Sequence, residues 1–186
     1  MTVHDKLTRL YDESPDPWGF ETSWYERRKY ALTLASLPRE RYVSAYEPGC
    51  SIGVLTRLLA ERCDALLASD LIPRAVEATR RRVADLAHVR VELMDTPREW
   101  PAGCFDLIML SELAYFLQPS DVVELARRTG TSLAHGGTVV AVHWRGPIDD
   151  WAVPAEQAHA ILRETGGLSS IAQHLEPEFL LEVFRR

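Results

Sequence analysis

Tyr42-Val43-Ser44-Ala45-Tyr46-Glu47-Pro48-Gly49-Cys50-Ser51-Ile52-Gly53-Val54-Leu55 decides the fold. Its opening, Tyr42–Tyr46, is short, aromatic and β-branched, which predicts a strand ending at Glu47. Pro48, Gly49 and Gly53 predict a tight loop. From Val54 to Arg62 the apolar residues Val54, Leu55, Leu58 and Leu59 recur at helical spacing. Strand, glycine loop and helix in this order are how an open α/β sheet receives a nucleotide-like ligand. Glycine lets the backbone approach the ligand, and the crevice opens at the carboxyl ends of the strands. The alternative is an ordinary βα turn, because Gly49-x-x-x-Gly53 is not the G-x-G-x-x-G of a dinucleotide site.

A chain of 186 residues fits one domain with a sizeable core. Its net charge of −6 argues against a general nucleic-acid binder, which would present a basic face. No apolar run approaches the length of a membrane span, and the N-terminus lacks the apolar core of a signal peptide. Cys50, Cys63 and Cys104 are odd in number and lack metal-ligand spacing. They read as reduced thiols of a cytoplasmic protein, with no metal expected.

Around the central stretch, Val3–Tyr11 predicts a short helix. Asp12–Phe20, with Pro15, Pro17 and Gly19, predicts a loop carrying Trp18, and Glu21–Leu37 a second helix. On that helix Trp24, Arg28 and Ala31 or Leu32 would share one face. Residues 1–37 read as a helical cap, either packed onto the core or serving as a lid. Ala65–Ser69 predicts a second strand. Asp70 follows Gly49 at the distance at which an acid meets ribose hydroxyls; alternatively it caps the helix starting near Pro73. Pro73–Leu86 predicts a helix, and Val89–Met94 a strand ending at Asp95-Thr96-Pro97. Phe105–Leu110 predicts a strand buried on both faces, ending in Ser111-Glu112. Pro119–Leu133 predicts a helix and His135-Gly136-Gly137 a turn. Thr138–Val142 predicts a strand ending at His143-Trp144. Arg145–Pro154 predicts a loop with the acids Asp149 and Asp150, and Ala155–Glu164 a helix. Ser169–Leu175 and Phe179–Phe184 predict a terminal hairpin. The alternation predicts a single α/β domain over 1–186, its sheet mostly parallel with an antiparallel end and helices on both faces.

Glu47-x-Gly49-x-x-x-Gly53 resembles motif I of the class I S-adenosylmethionine (SAM) methyltransferases, with Ser51 in place of the middle glycine. With Asp70, Asp95-Thr96, Phe105-Asp106-Leu107 and Ser111-Glu112 in order behind it, the chain resembles that seven-stranded, Rossmann-like fold. The fold's last strand inserts between its neighbours. Several stretches look like the NodS-like (nodulation protein S) branch. They are Asp16-Pro17-Trp18-Gly19, Trp24-Tyr25-Glu26-Arg27-Arg28-Lys29-Tyr30, Glu47 to Gly53, Leu110 to Phe116, and Val142-His143-Trp144. That branch consists of SAM-dependent N-methyltransferases acting on the deacetylated glucosamine of a chitin-type oligosaccharide during nodulation-factor synthesis.

The resemblance implies SAM as cofactor. The implied acceptor is small, the free amine of a chito-oligosaccharide or amino sugar, with a non-sugar metabolite as the alternative. It implies Glu47 and Gly49 bordering the methionine part, Asp70 on the ribose hydroxyls, Asp95 and Thr96 facing the adenine, and Ser111 at the amino-acid end, with Cys50, Gly53 and Leu71 also cofactor-binding. Arg28 would pair with the methionine carboxylate, with Lys29 and Arg27 as alternatives. Glu112, Tyr115 and His143 fall near the ends of the fourth and fifth strands and are the candidate catalytic groups. His143 is either the base, since histidine titrates near neutrality, or a structural strand-end residue. Trp18 and Trp144 offer flat faces to sugar rings or serve as ordinary packing. Two other classes compete: an NAD oxidoreductase, disfavoured by the glycine spacing, and a non-catalytic SAM-binding protein.

Overall fold

A computed structural model describes residues 2–149 and 152–186; Asp150 lies outside the described residues. Two helices, α1 (Val3–Glu13) and α2 (Trp24–Ala35), precede the sheet. Then come β1 (Ala45–Pro48), α3 (Val54–Ala60), β2 (Leu66–Asp70), α4 (Pro73–Arg82), β3 (Val89–Leu93) and β4 (Phe105–Ser111). A 3-10 turn at Ala114–Phe116 leads to α5 (Pro119–Ser132), β5 (Leu133–Trp144), α6 (Ala155–Gly166), β6 (Ser169–Leu175) and β7 (Phe179–Arg185). The seven strands run in the order β3-β2-β1-β4-β5-β7-β6. Pairing is parallel from β3 to β5, and β7 inserts antiparallel between β5 and β6.

Successive side chains of a strand point to opposite faces, so each central strand feeds two cores. Leu107, Met109, Val140, Val142, Leu181 and Val183 meet Tyr30 and Leu37, from α2 and the turn after it, and Leu55 and Leu59 of α3. Ile108, Leu110, Val139, Ala141 and Phe184 meet Leu125 and Ala126 of α5 and Leu162 of α6 on the other face. Burial on both faces explains the near-continuous apolar run of β4. The chain direction of the crossovers reverses at β1, which lies between β2 and β4. In such sheets the crevice for a ligand opens outside the strand ends at that reversal.

The elements differ from the sequence expectation at their edges. β1 begins at Ala45 rather than Tyr42, because Val43 and Ser44 donate their N–H groups to the Asp106 carboxylate (3.1 and 2.8 Å) instead of to a neighbouring strand. Tyr42 keeps only an isolated bridge to Cys63. α2 starts at Trp24 because Ser23 caps it, its hydroxyl accepting the Glu26 N–H. His135-Gly136-Gly137 is no separate turn. β5 begins at Leu133 and runs through it as a bulge, where the pairing jumps from Phe105↔Leu133 to Leu107↔Thr138.

Candidate active site

The strand ends open into one cavity of about 1040 Å³. Its floor is the loop after β1. Gly49 (φ 74°) and Gly53 (φ 77°) adopt the left-handed conformation that glycine tolerates. A Cβ on Gly53 would also fall 2.7 Å from Thr79 Cγ2. Gly53 therefore lets α3 start close against α4, and it does not line the cavity, whereas Gly49, Cys50 and Ser51 do. Ser51 holds φ 51° without being a glycine. Its side chain has a use there: Ser51 Oγ lies 2.6 Å from the Tyr11 hydroxyl, tying α1 to the loop.

Asp70 closes the loop from the end of β2. Its carboxylate accepts the Ser51 N–H (2.8 Å) and the Ile72 N–H (2.9 Å). Burial pushes its pKa up, and those two N–H groups offset part of the rise. Asp70 is not the cap of α4, whose N-cap is Ile72 with no side-chain cap bond; it holds the turn before that helix, and a carboxylate with about four acceptor positions keeps room for a ligand contact. Glu47, 2% exposed at the end of β1, also lines the cavity. Its Oε2 has no hydrogen-bond partner among the described residues. Burial, reinforced by the negative charge of Asp70, raises its carboxyl to about 7. Leu71, Asp95, Thr96 and Ser111 line the same cavity. Thr96 Oγ1 lies 3.0 Å from the Tyr46 hydroxyl, and Asp95 accepts from Arg98 at 3.0 Å.

The far end of the cavity is a buried charge cluster. Glu112 sits at φ 56° immediately after β4. Its Oε1 accepts from Lys29 Nζ at 2.5 Å. Its Oε2 accepts from the Tyr115 hydroxyl and from the Trp144 N–H, both at 2.8 Å. Lys29, 2% exposed, also pairs with Glu26 and lies 4.9 Å from the Tyr25 ring centroid. Burial raises the Glu26 carboxyl above its ordinary range, with Lys29 pulling it back. The Tyr115 phenol is raised well above its usual value by burial and by the Glu112 charge. Tyr25, Glu26, Lys29, Glu112, Tyr115 and Trp144 all line the cavity.

Arg28 does not. It faces outward and makes a two-point contact with Glu176 at 2.8 and 2.6 Å. The reading of α2 was one residue out of phase. A step of one residue turns a helix by about 100°, so the face that meets the cavity carries Tyr25, Glu26 and Lys29, while Trp24 is 70% exposed. His143 is likewise outside the cavity lining. It is 1% exposed behind the Ala114 turn, and its Nε2 accepts the Ala114 N–H at 3.2 Å. Burial and the neighbouring His159 hold its pKa well below the ordinary value. With Nε2 taken by the Ala114 N–H and the ring outside the lining, its position fits the structural strand-end alternative. Trp18 lines the cavity but packs among Tyr11, Phe20 and Phe116, with ring centroids 5.5, 5.5 and 6.3 Å away.

α1 supplies the roof. Val3, His4, Lys6, Leu7 and Tyr11 line the cavity, and Lys6 Nζ reaches Asp149 Oδ2 at 2.8 Å. Tyr11 carried no motif. Glu26 and Lys29 stood inside the Trp24-to-Tyr30 stretch that resembles the NodS-like branch, and their i,i+3 spacing with opposite charge was a second signal.

Residues 1–140 match the family model described as Nodulation protein S (NodS). Nodulation protein S of Rhizobium tropici is 33% identical over 75% of this chain and 60% of its own length. That of Bradyrhizobium diazoefficiens is 38% identical over 59% of this chain and 52% of its own length. The chain thus spans between half and two thirds of these two curated relatives. Among solved structures, N-methyltransferase NodS of Bradyrhizobium japonicum WM9, in complex with S-adenosyl-L-homocysteine, superposes with a TM-score of 0.90 at 26% identity, covering 100% of this chain and 99% of that one. A candidate methyltransferase from Pseudomonas syringae is 44% identical, with a TM-score of 0.77 over 88% of this chain and 100% of its own. The seven-stranded fold, the ordered loop residues and these matches agree: the chain belongs to the Nodulation protein S family.

Proposed function

We propose that this protein is a SAM-dependent N-methyltransferase whose acceptor is the free amine of a chito-oligosaccharide or amino sugar. The observation that carries the proposal is one cavity with two different ends. One end is the loop of Gly49, Cys50 and Ser51 with Glu47 and Asp70; the other is the cluster of Glu26, Lys29, Glu112 and Tyr115. The solved NodS structure with S-adenosyl-L-homocysteine supports the cofactor assignment.

The residues present fit the cofactor. The unpartnered, buried Oε2 of Glu47 is an acceptor placed for an ammonium group. Asp70 retains acceptor positions for two hydroxyls. Asp95 and Thr96 line the cavity beside Met94. Lys29, one of the alternatives to Arg28 for the methionine carboxylate, is a buried cation on the cavity wall that can meet it. When bound, SAM supplies a methyl group already activated by the positive sulfur. The chain's task is then alignment and charge.

At the acceptor end the charges sum to negative: Glu26 and Glu112 against Lys29. Such an end favours a cationic or amine acceptor over a neutral hydroxyl. Tyr115 donates its proton to Glu112, so its oxygen keeps lone pairs that can accept an N–H from the acceptor. Glu112, with three donors on it, orients Tyr115 and balances positive charge as the amine is alkylated. Its left-over acceptor position can take a proton from the amine, directly or through water. Trp144, at the cavity wall, offers a sugar ring a flat face.

The experiment uses two chitin oligomers, one with a free terminal amine and one fully acetylated. Methylation of the free-amine oligomer alone is expected. Equal methylation of both, or of neither while a non-sugar amine turns over, overturns the sugar-amine assignment.

A further inference from the structure

Three polar side chains outside the cavity form one buried chain. His143 on β5, His159 on α6 and Glu182 on β7 are 1%, 0% and 1% exposed. Buried polar groups cost stability unless each finds a partner, and here each does. The Ala114 N–H donates to His143 Nε2 at 3.2 Å. His143 Nδ1 lies 3.0 Å from His159 Nε2, and His159 Nδ1 lies 3.1 Å from Glu182 Oε2. Arg163 donates to both Glu182 oxygens, at 2.8 and 2.9 Å.

The two ends fix every proton between them. A backbone amide only donates, so His143 Nε2 is bare and its proton sits on Nδ1. That Nδ1–H donates to His159 Nε2. His159 therefore also carries its proton on Nδ1 and donates it to the carboxylate. A neutral imidazole has one donor and one acceptor, and no other assignment satisfies all three bonds.

The chain ends at the turn that carries the acceptor-side groups. Glu112 is a non-glycine residue at φ 56°, a strained conformation that persists only where the surroundings enforce it. Three bonds from β5 enforce it. Glu112 N–H donates to Val142 O at 2.8 Å, Trp144 N–H to Glu112 Oε2 at 2.8 Å, and Ala114 N–H to His143 Nε2. Only the last depends on a side chain of β5.

We propose that His143, its proton held on Nδ1 between the Ala114 N–H at one end and the His159–Glu182 pair at the other, is a positioning residue for Glu112 and Tyr115, acting through the Ala114 amide from outside the cavity. The part of this that concerns catalysis rests on the function proposed above; the geometry does not.

Two activity-independent readouts come first, on the ligand-free protein. Nitrogen-15 spectra of the imidazoles are expected to show both His143 and His159 protonated at Nδ1 and bare at Nε2. Glu182→Met, which removes the acceptor for His159 Nδ1–H, is expected to shift the imidazole nitrogens of His159, while His143 keeps its proton on Nδ1 under the Ala114 N–H. Protonated Nε2 on His143 in the wild type, or an unchanged His159 in that variant, overturns the proposal. Amide exchange at Ala114 is expected to accelerate in His143→Leu and to recover in His143→Gln, whose side-chain oxygen can replace Nε2; equal exchange in the two variants overturns it. In the transferase assay, kcat of His143→Leu is expected to fall on the order of 100-fold with little change in the KM for SAM, since misplaced groups lose rate before they lose cofactor binding. His143→Gln is expected to recover most of the rate. Equal loss in both variants overturns the positioning role. Absence of activity in the wild type would count against the proposed function, and the spectra and exchange would still decide this one.

Discussion

Lys29 Nζ lies 2.5 Å from Glu112 Oε1 and 3.0 Å from each carboxylate oxygen of Glu26, with Lys29 itself nearly excluded from water. One cation thus joins two acids that arrive from different layers, α2 and the end of β4. Removing one member of such a buried cluster leaves an uncompensated charge and costs about 3–5 kcal/mol. Lys29→Met is therefore expected to lower the midpoint of urea unfolding sharply. Lys29→Met combined with Glu112→Gln should recover part of the loss, because one fewer charge is stranded. Additive losses would mean that the two side chains do not share an interaction.

Asp70 is expected to carry cofactor affinity. Asp70→Ala removes the acceptor for hydroxyls and also frees the Ser51 and Ile72 N–H groups. Hydrogen bonds to a charged group contribute about 1.5–3 kcal/mol, so SAM should bind roughly 10- to 100-fold more weakly. Titration calorimetry reads this directly, and an unchanged Kd would remove Asp70 from the site.

Glu47 sets a pH dependence whose sign can be worked out. Its folded carboxyl is raised to about 7 from an ordinary 4.5. Between those values the folded state holds a proton that the unfolded state has lost. The stability of the ligand-free protein should therefore fall as pH rises from 4.5 to 7, by about 1.4 kcal/mol for each unit of the shift, and flatten above. Glu47→Gln should remove that slope while weakening SAM, whose ammonium loses its ionised partner. Melting curves from pH 4.5 to 8 check both halves; an unaltered slope in the variant would assign the effect to another group.

The roof is expected to respond to ligand. Tyr11 is tied to Ser51 at 2.6 Å and Lys6 to Asp149 at 2.8 Å, so α1 bridges the cofactor loop and the segment after β5. SAM binding beneath these contacts should hold them shut. Hydrogen exchange over residues 3–30 should slow at saturating SAM or S-adenosylhomocysteine. Identical exchange in the two states would make this segment a fixed wall.

The sheet was legible because its signals were local. Glycine spacing marked the β1–α3 loop, and the unbroken apolar run of β4 reported burial on both faces. The site was less legible because it is made where layers meet. The buried face of α2 carries Glu26 and Lys29, so its polarity masked the inward direction, and the outward Trp24 mimicked a core residue. His143 stands at a strand end next to Trp144, which does reach the cavity. Alternation along the strand sends the two side chains to opposite sides, and the sequence carries no mark of which is which. The bonds between α1 and the loop, such as Tyr11 to Ser51, join residues 40 apart and left no pattern at all.

The central claim is methyl transfer to nitrogen from a cofactor held between Glu47, Gly49 and Asp70. Its most direct measurement supplies SAM carrying a carbon-13 methyl group together with a free-amine chitin oligomer, and locates the label in the product by NMR. The account predicts a carbon-13 methyl on the amino nitrogen, correlated with the proton of the carbon that bears it, and loss of the signal with Asp70→Ala. A label found on oxygen, or no transfer to the oligomer by protein that binds SAM, would contradict it.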